Sequence, residues 1–270
     1  MKFYKPVKHE KLILASRAIT RFIGHIVKYL CYIFHFLFPK KRFTIPFYSP
    51  AKIKKTQDQK IPRIIWQTNY TNKVSLPVYC NYLVNRFFSQ DYEYRYMGHE
   101  EREKYIKEKA DEVTFKAFDQ IADGAAQADF WRLFVLYTEG GVYLDIDAQL
   151  AWNLSAIIGE EDKEVFITRR DHYNNFFMAS APGNPLLKDV LDRIILNIQD
   201  KENNKKMGVY GLTGPTVLNA VLNPKEEAIT VRRDSLTCSQ GTFTNEHFQY
   251  IDKKRSKWTY KSPDEIFKKD

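Results

Sequence analysis

Two aspartates stand one residue apart, at positions 145 and 147, in the stretch TEGGVYLDIDAQL. They follow the apolar run Val142, Tyr143, Leu144. On a strand, residues i and i+2 share a face. That would set two like charges side by side, where they repel and where neither can be buried alone without cost. A hard divalent cation removes the conflict, because carboxylate oxygens are its natural ligands. A solvated strand end is the other reading of the same tripeptide. Upstream, Asp129 and Arg132 are three apart in a helical pattern and so lie on one face. They are either a surface ion pair or a pair turned toward a ligand. The small residues Gly124, Ala125 and Ala126 just before them would let a ligand approach the backbone closely. Trp66 and Gln67 close another apolar run, IPRIIWQ. An indole there can stack on a base or fill a core.

The elements that would carry these residues alternate between strand and helix. Pro62 cannot sit centrally in a sheet and marks a strand start, with Ile64 and Ile65 following. Tyr92, Tyr94 and Tyr96 alternate as in a second strand. Residues 99–121 are charged and helical, a solvated face. The stretch from Gly124 reads as an apolar helix that stops at Gly140, where a helix C-cap is expected. VYL is then a strand ending at the acids. EVFITRR and NNFFMASAP read as strands, NPLLKDVLDRIILNIQD as a helix, and GVYGLTGPTVLNAVL as a Gly-rich turn entering another helix. Such alternation predicts an α/β fold with a mixed, mainly parallel sheet, whose ligand crevice lies outside the C-terminal strand ends. Trp66, Gln67, Asp145 and Asp147 all fall there.

The formal charge of +9 invites a nucleic-acid reading until it is located. Residues 1–60 hold fourteen basic residues against two acids, a surplus of twelve, which leaves −3 for the remaining 210. A duplex-binding surface belongs on the folded body, so no nucleic-acid partner is expected. Residues 1–45 read as an amphipathic helical arm with an apolar face, stopped by Pro39, and a basic face. Its charges suit an anionic membrane surface better than a span, and a helix packed on the core of the globular domain is the other reading. Residues 46–60, with two prolines and a basic run, read as a linker, and 61–270 as the globular domain. Cys31, Cys80 and Cys238 are odd in number and scattered, with no C-x-x-C pair, so a reducing compartment fits. The apolar part starts late and is broken by charge, which does not suit a signal peptide.

Taken together, IPRIIWQ, AAQADFWRLFVLYTEGGVYLDID and LTGPTVL resemble the glycosyltransferases with a DXD-containing sugar-binding region. That group includes initiating mannosyltransferases, capsule and lipopolysaccharide transferases and, more distantly, clostridial glucosylating toxins. The resemblance covers about residues 61–220. It implies a GT-A fold, a UDP- or GDP-hexose donor, retention at the anomeric carbon, and a saccharide or glycolipid acceptor in surface polysaccharide synthesis; the N-terminal arm and the cysteine pattern place that work at the cytoplasmic face of a membrane, peripheral or monotopic. The resemblance implies Trp66 on the nucleotide base beside Gln67, and Asp129 on the ribose or donor sugar. Arg132 would meet sugar hydroxyls or the diphosphate. Asp147 would bind a metal directly, and Asp145 would contact ribose, sugar or metal-bound water. Many relatives end in a His followed by Ser-x-Trp, which His247 and Ser256-Lys257-Trp258 resemble. His247 would then be a third metal ligand and favour Mn²⁺ over Mg²⁺. A toxin-like enzyme acting on a host protein and a non-catalytic membrane scaffold are the rival functions. A phosphatase D-x-D is disfavoured, because Gln149 stands two residues beyond the second Asp and the motif is mid-chain.

Overall fold

The computed structural model of the chain describes residues 4–55, 58–252, 262 and 265–268. Its strands are β1 (Phe43–Thr44), β2 (Tyr48–Ser49), β3 (Ile64–Thr68), β4 (Lys73–Val74), β5 (Glu93–Met97), β6 (Gly141–Leu144), β7 (Ala148–Leu150), β8 (Glu164–Arg169), β9 (His172–Ser180), β10 (Val231–Arg233) and β11 (Cys238–Gln240). The helices used below are α1 (Glu10–Leu37), α2 (Leu76–Phe87), α3 (His99–Lys109), α4 (Glu112–Asp119), α5 (Gly124–Thr138), α6 (Leu154–Ile157) and α7 (Pro185–Gln199).

The main sheet runs in the order β10-β8-β9-β6-β3-β5-β2. β3 lies parallel to both β5 and β6, and β10 is parallel to β8, while β9 and β2 run antiparallel to their neighbours. Five strands therefore share one direction in a mixed sheet, as the alternation of elements predicts. Both faces are covered, and the side-chain alternation shows how. Ile65, Val142, Leu144, Val165, Phe177 and Tyr94 point into one core, while Trp66, Tyr143, Phe166 and Met178 point into the other, against residues of α5 and α7. Neighbouring positions of each strand serve opposite cores, the period-two rule of a sheet buried on both sides.

Helix α5 starts at a true N-cap. The Asp123 carboxylate accepts from the Ala125 and Ala126 amides at 2.8 and 2.9 Å, satisfying two otherwise orphan donors. It ends at Gly140 and Gly141, with φ of +69° and +105°. A Cβ at Gly140 would sit 2.8 Å from the Pro182 ring and 2.9 Å from that of Pro62, and one at Gly141 would sit 2.7 Å from the Ile64 carbonyl. Both the left-handed backbone and the close packing require glycine here. This turn delivers the chain from α5 directly into β6 and so into the two aspartates.

The amino-terminal segments are not separate from the body. β2, inside the stretch read as a linker, pairs antiparallel with β5 as the edge of the main sheet, and β1 pairs with β4. The Ile45 side chain between them is fully buried. Polar composition marked 46–60 as a connection, but a two-residue edge strand needs no apolar run, because its partner supplies the ladder. α1 packs on the body through Ile13, Thr20, Gly24, Cys31 and His35. Among the described residues, no helix is long and apolar enough to cross a membrane.

Candidate active site

The register of the parallel strands places the acids. Trp66 of β3 lies opposite Tyr143 of β6 and Arg95 of β5, so β3, β5 and β6 end together. Beyond that edge stand Asp145, Tyr70 and His99. The D-x-D is not part of a strand, contrary to the pleated-strand expectation. β6 stops at Leu144, and a turn closed by the Ala148 amide on the Asp145 carbonyl at 3.0 Å leads into β7. β7 and β11 form a separate two-stranded ribbon. Two carboxylates inside the ladder would face each other in the core, whereas a turn brings both to the crevice, half-buried.

A buried cation holds the first acid from behind. Arg132 on α5 reaches Asp145 at 3.3 Å and Asp129 at 3.0 Å, and lies over the Tyr143 ring at 4.5 Å. Its other donors go to the carbonyls of Asn175 at 2.8 Å and Ala128 at 3.3 Å. The Tyr143 hydroxyl donates to the same Asp145 oxygen at 2.7 Å. Asp129 accepts from Asn175 at 2.9 Å and from Thr213 at 3.1 Å. One guanidinium thus serves two carboxylates. Burial pushes the Asp129 carboxyl up to about 7, with Arg132 opposing only in part and Asp145 adding to the rise. Burial alone would depress Arg132, but Asp145, Tyr143 and Asp129 more than offset it and raise its pKa. Arg132 shifts upward as in a simple ion pair, whereas Asp129 shifts the other way because its burial outweighs the attraction of the cation.

The second acid meets a different segment. The Gln240 amide nitrogen lies 3.4 Å from Asp145 Oδ2 and 3.5 Å from Asp147 Oδ1. The Gly241 amide donates to the Asp147 carbonyl at 3.2 Å. Gln249 also acts on the Asp147 side chain, favouring its charged form. Burial first, then the charge of Asp145, pushes Asp147 up to about 6, and Gln249 and Gln240 partly oppose this. The two carboxylates therefore converge on a point that a single hydrogen-bond donor already reaches from both sides. Two carboxylates with carboxamide groups nearby form an oxygen-rich set suited to Mg²⁺ or Mn²⁺. Among the described residues, no group of three or more His, Cys, Asp and Glu side chains is placed to hold an ion, so the acids are the anionic part of any such site.

Two expectations from sequence change. Trp66 is 1% exposed. Its Nε1 donates to the Gly140 carbonyl at 2.9 Å and its ring meets Trp131 edge-on. It seals the double-glycine turn from inside, because its strand position points into the core rather than the crevice. His247 stacks on Tyr32 of α1, with ring centroids 5.5 Å apart, and meets Phe248 edge-on. It belongs to the α1 contact and does not group with the acids. Ser256, Lys257 and Trp258 lie outside the described residues. Gln67 stays at the crevice floor, donating to the Asp145 carbonyl at 3.0 Å and accepting from Tyr94 at 2.8 Å. Tyr143, Asn175, Thr213, Gln240 and Gln249 were not named from sequence. Tyr143 was visible only as part of an apolar strand, and Thr213 only as part of LTGPTVL.

A mixed α/β sheet whose parallel strands end at a D-x-D turn defines a glycosyltransferase-type, GT-A-like fold. Residues 77–164 match the family described as the glycosyltransferase sugar-binding region containing DXD motif. The initiation-specific alpha-1,6-mannosyltransferase of Schizosaccharomyces pombe is 25% identical over an alignment of 221 residues, covering 68% of this chain and 51% of that protein. The chain thus spans about half the length of this curated relative. The structure of the PaToxG glycosyltransferase superposes with a TM-score of 0.52 at 19% identity, over 77% of this chain and 79% of that one. The UDP-bound glycosyltransferase domain of the YGT toxin gives a TM-score of 0.41 at 16% identity, over 56% of this chain and 54% of that one.

Proposed function

We propose that the chain transfers a hexose from a UDP- or GDP-sugar to a saccharide or lipid-linked acceptor, with retention and with Mn²⁺ or Mg²⁺. The observation that carries this is the convergence of Asp145 and Asp147 at the ends of parallel strands, within the DXD region, with Asp145 fixed from behind by Arg132 and Tyr143. A divalent ion on the two acids would neutralise the charge of the departing nucleoside diphosphate. The chain's own part is to hold both acids in one geometry before anything binds, so that no reorganisation is needed when charge develops. Arg132, with its donors engaged inside the protein, acts as the positioning group for Asp145 and Asp129.

With Trp66 in the core, Tyr70 takes the base in this reading. It is exposed beyond the C-terminal end of β3 and stacks on His99 at 5.4 Å and 11°. An aromatic face at that edge suits a nucleobase. The cytoplasmic face of a membrane and surface polysaccharide synthesis complete the proposal. They are supported by the free cysteines and by the resemblance to capsule and lipopolysaccharide transferases.

Release of UDP or GDP from a panel of nucleotide sugars, with Mn²⁺ and with EDTA, tests the reading. One donor is expected to be hydrolysed with metal and not with EDTA. No hydrolysis or transfer from any donor overturns it. Glycolipid and protein acceptors assayed with the active donor separate surface polysaccharide synthesis from toxin-like modification of a host protein.

A further inference from the structure

Helix α1 has two working faces. Ile13, Thr20, Gly24, Cys31 and His35, at steps of seven and four, form the buried one. It meets the body at more than one place: Ile13 packs with Ala151 and Leu236, His35 accepts from the Leu76 amide, and neighbouring side chains of the helix hold residues 239–248. Arg17 donates to the Ser239 hydroxyl at 2.8 Å, Lys28 to the Gly241 carbonyl at 2.6 Å, and Asn245 to the Tyr32 hydroxyl at 2.7 Å. Gly24 touches Thr242 so closely that a Cβ would lie 2.7 Å from its methyl and 2.9 Å from its carbonyl oxygen. That same segment carries Gln240 over both acids and Gly241 onto the Asp147 carbonyl. The helix is therefore one residue away from the proposed donor site.

The opposite face is apolar. Ile19, Phe22, Ile26, Leu30, Ile33 and Leu37, at steps of three and four, are between 47% and 70% exposed. The stripe runs much of a helix about 42 Å long. A patch of this extent on a folded protein marks an interaction surface. Its surroundings choose the partner. Lys11, Arg21, Lys40 and Lys41 are exposed along and beyond the helix, and Glu10, at its first turn, is the one acid in α1. An apolar stripe with basic borders, too charged to cross, complements the interface of an anionic bilayer.

We propose that α1 seats the protein on an anionic lipid surface with its outer face, while its inner face holds the 239–249 segment closed over Asp145 and Asp147. The cation site then lies directly beneath the membrane-lying helix, within reach of acceptors carried in the same bilayer. The site half of this inference rests on the function proposed above, and the lipid half does not.

The full chain is tested by co-sedimentation with phosphatidylcholine vesicles with and without phosphatidylserine, and by Mn²⁺ binding followed by electron paramagnetic resonance. Wild type is expected to pellet with the anionic vesicles only. Phe22→Glu/Ile26→Glu/Ile33→Glu should lower that partition by on the order of a hundredfold or more, since three buried side chains are lost from the lipid, with Mn²⁺ affinity unchanged. Gly24→Ala should do the reverse, keeping vesicle binding and weakening Mn²⁺ about tenfold through displacement of the loop, an effect that Thr242→Ser added to it should partly restore. The proposal is overturned if wild type stays in the supernatant, or binds neutral vesicles equally well. It is also overturned if the outer-face stripe instead holds two copies together in solution, with the triple variant monomeric and wild type not. A folded Gly24→Ala protein with unchanged Mn²⁺ affinity overturns the loop half. Failure of the function proposed above would show separately, as absent donor hydrolysis in a wild type that still pellets.

Discussion

At the scale of single residues, the acids of the site outnumber the cations that meet them among the described residues. Arg132 is shared between Asp129 and Asp145, and Asp147 faces only carboxamides and its neighbouring acid among the contacts described above. Four consequences follow from that arrangement. Asp147→Asn keeps the shape and removes the charge, so turnover should fall at least 10²-fold while the melting temperature holds, as for other lost electrostatic stabilisers. Kinetics and a melting curve on the same preparation check this. Near and below pH 6, Mn²⁺ must displace a proton from Asp147, whose pKa is raised to about 6. Metal affinity should therefore fall as pH drops below about 6, and titration calorimetry in buffers of different ionisation enthalpy would detect the released proton. Stability carries the opposite sign. Asp129, raised to about 7, binds its proton more tightly folded than unfolded. Its contribution is present below the unfolded value near 4 and is lost as pH rises toward 7. The metal-free protein should melt higher at pH 5 than at pH 8, and Asp129→Asn should flatten that slope. Arg132→Lys should behave almost as Arg132→Ala, because a point charge cannot hold two carboxylates, a carbonyl and a tyrosine face together. Loss of one partner from so buried a cluster costs about 3–5 kcal/mol.

At the scale of elements, the turn between α5 and β6 decides where the acids go. Gly140→Ala forces a left-handed backbone on a residue with a Cβ and drives that Cβ into two proline rings. It should cost about 2–4 kcal/mol by denaturant unfolding. Trp66→Ala opens a cavity behind the same turn and should cost about 3–5 kcal/mol, whereas Tyr70→Ala should leave stability alone and raise the donor KM. If Trp66→Ala instead raised KM with no loss of stability, the core assignment would be wrong. These elements also show what could be read in advance. The order of strands and helices, the glycine stop at Gly140 and the acids at the end of β6 are local features of the chain, written in period and turn residues, and the structure agrees with each. Which face Trp66 takes is not local. It depends on how β3 registers between β5 and β6, and alternate positions of a strand buried on both sides are equally apolar. Gln240 and Gln249 were invisible for a related reason. They arrive from about a hundred residues away on a ribbon and a short turn whose polar side chains follow no periodic rule. The expectation that Asp145 and Asp147 share a strand face failed because two unpaired like charges are more easily placed at a turn than in a ladder.

At the scale of the whole molecule, charge and packing give different pictures of the amino-terminal quarter. Charge sets it apart, with a surplus of twelve in residues 1–60 against −3 for the rest. Packing joins it to the body. Ile13, Cys31 and Ile45 are all but fully buried, the His35 ring accepts from the Leu76 amide at 3.1 Å, Lys5 pairs with the buried Asp162, and β2 completes the sheet edge. Removing residues 1–45 would uncover the apolar surfaces these side chains cover and free the segment bearing Gln240. A detachable arm would leave the remainder as stable and as active on a soluble donor as the full chain. The integrated arrangement predicts otherwise. The truncated protein should lose on the order of 5 kcal/mol of stability, since several core side chains go at once. Any fraction that folds should bind Mn²⁺ more weakly, through loss of the grip on residues 239–248. Urea denaturation and electron paramagnetic resonance on the truncated chain decide between the two, and an unchanged midpoint with unchanged Mn²⁺ affinity would restore the arm to an independent module.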